Sequence, residues 1–160
     1  MHLETKSKLL LACGNPLCGD DGVGWKIAEA AEQDPGFADV KVVVAQQFTP
    51  ELSELLGEAE VVAFVDASIS VEPGVVSSFT VAAAQEVPQA LTHHLPPASL
   101  LALTGYLYGR IPGRAYAVTV GASSFELSFG VEERLLDGVL SEAVRDAIPA
   151  AVALLREIFV

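Results

Sequence analysis

Short apolar runs alternate with amphipathic stretches along this chain, and most runs stop at turn residues or at an acidic side chain. Leu9-Leu10-Leu11-Ala12-Cys13 is unbroken and closes at Gly14-Asn15-Pro16, the pattern of a buried strand halted by a turn. After a loop at Gly19-Asp20-Asp21-Gly22, Val23, Ile27, Ala28 and Ala31 recur at helical spacing, which predicts a helix to about Gln33, ended by Asp34-Pro35-Gly36. Val40 to Ala45 predicts a second buried strand. Thr49-Pro50-Glu51 then opens a short helix that stops near Gly57: Thr suits the cap, Pro the first turn, and Glu the positive end. Val61-Val62-Ala63-Phe64-Val65 is a third buried run, and it ends in Asp66. Residues 74–81 are β-branched and partly alternating, as in an edge strand. Pro96-Pro97 begin a helix through about Tyr108, and 115–120 form another strand closed by Gly121. From about Glu132 to Ile158 the pattern is helical, with Pro149 expected to kink or split it.

Strands alternating with helices predict an α/β fold: a single three-layer domain over residues 1–160, with a mostly parallel twisted sheet of about five strands and helices on both faces. In such sheets ligands sit beyond the carboxyl ends of the strands, near a topological switch point. Polar residues directly after apolar strands therefore matter most. They fall in residues 14–21, 46–49 and 66–70.

Composition narrows the function. Of the 160 residues, 51% are hydrophobic and 19% charged, enough for one continuous core. The formal net charge of −12, with only nine Lys and Arg, argues against nucleic acid as a partner. Two cysteines, Cys13 and Cys18, are too few for a disulfide scaffold and match no common zinc spacing. They read as reduced thiols, with Cys13 in the core. No stretch has the length of a membrane span or of a secretory apolar region, so the expected location is the cytoplasm.

The candidate chemistry lies in acidic and imidazole side chains. Asp66 follows five apolar residues, where a carboxylate is costly to desolvate unless it is paired, hydrogen-bonded or bound to a metal. If the first and third strands are neighbours, Asp21 comes within its reach. His93, just before a helix start, would complete a mixed oxygen and nitrogen set suited to Zn, Ni, Mn or Fe. Each residue also has a plainer role: Asp21 as a helix cap, Asp66 as a turn acceptor, and one of His93 and His94 as a solvated loop residue. The glycines at 14, 19, 22 and 24 do not make G-x-G-x-x-G, and Asp20-Asp21 would repel a pyrophosphate. Walker and G-x-S-x-G motifs are absent, which argues against an NTPase or an α/β-hydrolase.

Residues 14–24, GNPLCGDDGVG, resemble the signature G-N-x-L-x-x-D-[DE]-G-x-G of the hydrogenase maturation proteases. Val65-Asp66-Ala67 is similar to that family's apolar strand ending in D-A, and Thr92-His93-His94-Leu95-Pro96 to its T-H-x-x-P before a helix. The order and separations agree over essentially the whole chain. Gln46-Gln47-Phe48-Thr49-Pro50-Glu51-Leu52 resembles a Q-x-x-P-E-L segment of the subgroup linked to bidirectional, NAD-coupled hydrogenases, and departs from the acidic D-x-G-like loop of many other members.

The resemblance implies a metal-reading site of Asp21, Asp66 and His93, with His93 preferred to His94 by its place after Thr92. It implies an endopeptidase that removes the C-terminal extension of a [NiFe] hydrogenase large-subunit precursor once nickel is inserted, the nickel being carried by the substrate. Two mechanisms stay open: the ion acts as a Lewis acid on the scissile carbonyl or activates the attacking water, or it serves only for docking while Asp20 or Asp21 orients that water. A monomer suffices for this role. The alternative from another class is a metal-sensing assembly chaperone that docks the hydrogenase and cuts nothing.

Overall fold

The first apolar run becomes β1 (Lys8–Cys13), an interior strand of a five-stranded sheet ordered β2-β1-β3-β5-β4. The computed structural model describes residues 7–89, 94–123, 125 and 140–160. β2 (Val40–Ala45), β1, β3 (Val61–Ser68) and β5 (Arg114–Gly121) run parallel, and β4 (Val76–Thr80) joins β5 antiparallel at the far edge. Around them lie α1 (Val23–Glu32), α2 (Ser53–Glu58), α3 (Pro97–Tyr108) and α4 (Glu142–Phe159). This is the predicted α/β architecture.

Strand alternation splits the core in two. Leu10, Ala12, Ala63, Val65 and Val118 face α1 and α4, packing with Ile27, Val144 and Leu155. Leu9, Leu11, Val62 and Phe64 face the other way, onto Leu56 of α2 and Leu100 and Leu101 of α3. The runs at β1 and β3 are continuous because both their faces are covered.

Three expectations change. β2 is not fully buried: it is an edge strand, with Val44 42% exposed. β3 does not stop at Asp66, because Ala67 and Ser68 still pair with Val120 and Gly121. Pro149 does not split α4. Its ring lies on the exposed face, so the carbonyl it cannot satisfy faces water. The expected helix start near Glu132 lies outside the described residues. Among the described residues no helix is long and apolar enough to cross a membrane.

Residues 14–22 link β1 to α1, and at the glycines of this link and of the start of α1 there is no room for a side chain. A Cβ on Gly24 would sit 2.5 Å from the Cys13 carbonyl oxygen, and one on Gly22 would sit 2.9 Å from Cα of Pro16. The glycines of the motif are thus close-approach positions that seat α1 against the end of β1. Gly24→Ala is expected to destabilise by about 2 kcal/mol despite the better helix propensity of alanine, because backbone must move. Chemical denaturation checks this; unchanged stability would mean that the helix slides without cost.

Candidate active site

The chain leaves β1 for β2 on one side and reaches β3 on the other, so the switch point lies beyond the carboxyl ends of β1 and β3. Ala12 pairs with Val65, which places the next residues, Cys13 and Asp66, side by side on the α2–α3 face. The Cys13 thiol donates a hydrogen bond to the Asp66 carboxylate. The Ala67 N–H donates to Asp66 Oδ1 at 2.8 Å.

The loop after β1 holds Asp21. Gly14 takes φ +146°, and a Cβ there would lie 1.9 Å from the Asp21 carbonyl oxygen. The Asn15 N–H donates to Asp21 Oδ2 at 2.8 Å, while Asn15 Oδ1 accepts from the Leu17 N–H at 3.0 Å. One Asp21 oxygen is thereby fixed from its own loop. Its charge reaches both Cys13 and Asp66.

These neighbours tune the acids. Burial is the largest influence on Asp66 and the Asp21 charge adds to it. The Ala67 N–H, the Cys13 thiol and nearby His94 oppose them, and the carboxyl is pushed up to about 6. Burial first, then the charge and hydrogen bond of Asp66, holds the Cys13 thiol far above its ordinary range, so it stays protonated as a donor. A half-buried carboxyl poised near neutrality close to the carboxyl end of a strand is a setting expected of a working acid or base. In an NMR titration of the free protein, the Asp66 carboxyl is expected to turn over near pH 6. In Asp21→Asn the midpoint is expected to fall, because a like charge has gone; an unmoved midpoint would show that the two carboxylates are not coupled.

Asp20 points the opposite way. Only 2% exposed, its carboxylate accepts from the N–H and Oγ of Ser123 at 2.9 and 2.7 Å and from the N–H and Oγ of Ser141 at 2.7 and 2.9 Å. Burial pushes its pKa up, but these four bonds outweigh burial and hold it below the usual carboxylate range. Both oxygens are committed to tying the loop to the end of β5 and the start of α4. A consecutive pair in a tight 3-10 turn, Gly19–Gly22, projects in different directions, and here the two aspartates divide between fold and crevice.

His93 lies outside the described residues. His94 stacks on Phe48, with ring centroids 6.3 Å apart, and acts electrostatically on Asp66. Phe48 is buried edge-on against Phe64 at 5.4 Å, and its carbonyl accepts from the Leu95 N–H at 2.8 Å. The segment before α3 is thus fastened over the end of β3. Cys13 is the member that composition hid, because a cysteine closing an apolar run reads as core. The register between β1 and β3 is what exposes its contact with Asp66. Among the described residues, no three His, Cys, Asp or Glu side chains form a set able to hold a metal ion. Asp21 and Asp66 offer two hard oxygen donors, two members of the expected set of three.

The structure is similar, over 94% of this chain and 93% of the other, to the hydrogenase maturating endopeptidase HybD of Escherichia coli, with 25% identity and a TM-score of 0.66. It is also similar to the [NiFe] hydrogenase maturation proteases HybD and HycI of Thermococcus kodakarensis. HybD has 24% identity over 94% and 97% of the two chains and a TM-score of 0.61; HycI has 20% identity over 97% and 94% and a TM-score of 0.65. No protein-family model matches the chain, and no curated protein sequence does. In fold and length the chain is thus similar to the hydrogenase maturation endopeptidases.

Proposed function

We propose that this chain is an endopeptidase that trims the C-terminal extension from a nickel-loaded [NiFe] hydrogenase large-subunit precursor. The observation that carries the reading is the coupled pair Asp21 and Asp66 at the switch point, together with the likeness to endopeptidases of that name. A carboxylate whose ionisation is made costlier by the charge of its neighbour is relieved by a cation placed between the two. The cation belongs to the substrate: nickel held by the precursor. His93 is the proposed third ligand. A precursor without metal would meet two repelling carboxylates, which gates cleavage on nickel insertion. Asp66 is the proposed second oxygen ligand, and its oxygen not on the ion is the proposed acceptor of the proton of the attacking water. Asp20, with both oxygens bound, is assigned to the fold. Residues 46–52 place Phe48 against His94, and their likeness to the NAD-linked subgroup supports a precursor of that kind.

The test is incubation of the protein with nickel-loaded and nickel-free precursor, followed by mass spectrometry. The nickel-loaded form is expected to lose one C-terminal peptide and the nickel-free form none. His93→Ala is expected to abolish the loss, and His94→Ala to slow it less. Tight binding of the nickel-loaded precursor with no loss of mass would favour the assembly chaperone instead.

A further inference from the structure

The exposed edge of β2 runs to the back of the loop that carries Asp21, and beside it lies a depression of about 390 Å³. Its floor is Val44. One wall is Trp25, Lys26, Ala28, Glu29 and Glu32 of α1, and Pro16 and Gly22 complete the lining. The Trp25 indole N–H donates to the Ala45 carbonyl at 3.1 Å, which fixes the ring at the end of the strand. The same carbonyl accepts from the Gly14 N–H at 3.1 Å, so the polar groups of Ala45 point towards β1. By strand alternation those of Val43 and Lys41 do too, and those of Val42 and Val44 point outwards. Among the described residues no hydrogen bond reaches the outward groups of Val42 and Val44.

We propose that this edge receives an extended segment of the substrate as an added strand, with one basic side chain of that segment seated between Trp25 and the carboxylates of Glu29 and Glu32. The proposal rests on the endopeptidase reading and names how its substrate is held. Three observations choose the occupant. The unpaired edge offers a row of main-chain donors and acceptors that an extended peptide matches. The depression offers an indole face beside two carboxylates, a setting for a guanidinium or ammonium group. Lys26 lies in the same lining and offsets Glu29, which it meets at 3.5 Å in an exposed pair; Glu32 has no ion pair among the described residues, so one negative charge remains for an incoming cation. The net charge of −12 favours approach of a basic segment over an acidic one. Because Gly22 adjoins Asp21, a strand on this edge ends beside the crevice.

Two measurements test it. The intact protein is titrated into a fluorescein-labelled peptide of about ten residues, alternating Val and Thr around a central Arg, and into its counterpart with Glu at that position. The Arg peptide is expected to bind about tenfold more tightly, with a preference that shrinks as salt rises. The double variant Glu29→Gln/Glu32→Gln is expected to lose the preference. Val44→Pro removes an N–H that β1 does not use and is expected to weaken both peptides. In precursor cleavage the double variant is expected to raise KM about tenfold and to leave kcat within about twofold. Equal affinity for the two peptides, or an unchanged KM in the double variant, overturns the proposal. So does a dimer in sedimentation that Val44→Pro dissociates, since the edge would then serve a second copy of this chain. Arg-peptide binding with no cleavage of any precursor supports the surface and sinks the endopeptidase reading.

Discussion

Asp66→Asn is expected to melt at a higher temperature than the wild type near neutral pH and to lose processing by about 100-fold or more. Both effects come from one property. Burial and the Asp21 charge push the Asp66 carboxyl up to about 6, so holding it ionised at neutral pH costs the native state. Between about pH 4 and 6 the folded protein binds a proton that the unfolded chain has released. Stability from this group is therefore fully present below about pH 4 and is lost as pH rises through about 6. A neutral amide of the same shape escapes that loss, a gain of about 1–2 kcal/mol after allowing for solvent screening. It can still accept from the Ala67 N–H. Thermal unfolding across pH checks the first half, and the gain should vanish in acid. A variant no more stable at pH 7 would show that the carboxylate is not strained. A variant that still cleaves would remove Asp66 from the chemistry.

Asp20→Ala is expected to cost about 3–4 kcal/mol, roughly a 10 °C fall in melting temperature for a chain of this size. The substitution leaves the N–H groups of Ser123 and Ser141 without the carboxylate that both address. Asp20→Asn keeps an acceptor and should lose less. Here the sign is opposite to that of Asp66. The folded-state pKa is depressed, so the stability is present above about pH 4 and is lost as acidification passes through the folded value. Wild type and variant should therefore converge in acid. Equal unfolding free energies at neutral pH would show that water replaces the carboxylate without loss.

Much of this was legible in the chain because the physics was local. Unbroken apolar runs mark β1 and β3 as covered on both faces, and their order with the helices fixes the switch point where Asp66 lies. What the chain concealed depends on who sits next to whom. Val40 to Ala45 is apolar enough for an interior strand, and only the sheet order makes it an edge. Asp20 and Asp21 are adjacent and chemically alike. Two serines more than a hundred residues away separate their roles. Cys13 joins the site through inter-strand register, a relation no single segment contains.

The contacts of Asp20 also bear on when the protein becomes competent during its synthesis. Its partners, Ser123 and Ser141, lie 103 and 121 residues downstream. On the ribosome the aspartate loop emerges before either serine, so it has its local bonds to Asn15 and Ala45 well before its tether to Ser141 can form. A chain stopped short of α4 can lay down β1, β2 and β3, yet it leaves the loop carrying Asp21 without its tether. The tether on the loop of Asp21 is therefore a long-range contact, complete only after β5 and the start of α4 have been translated.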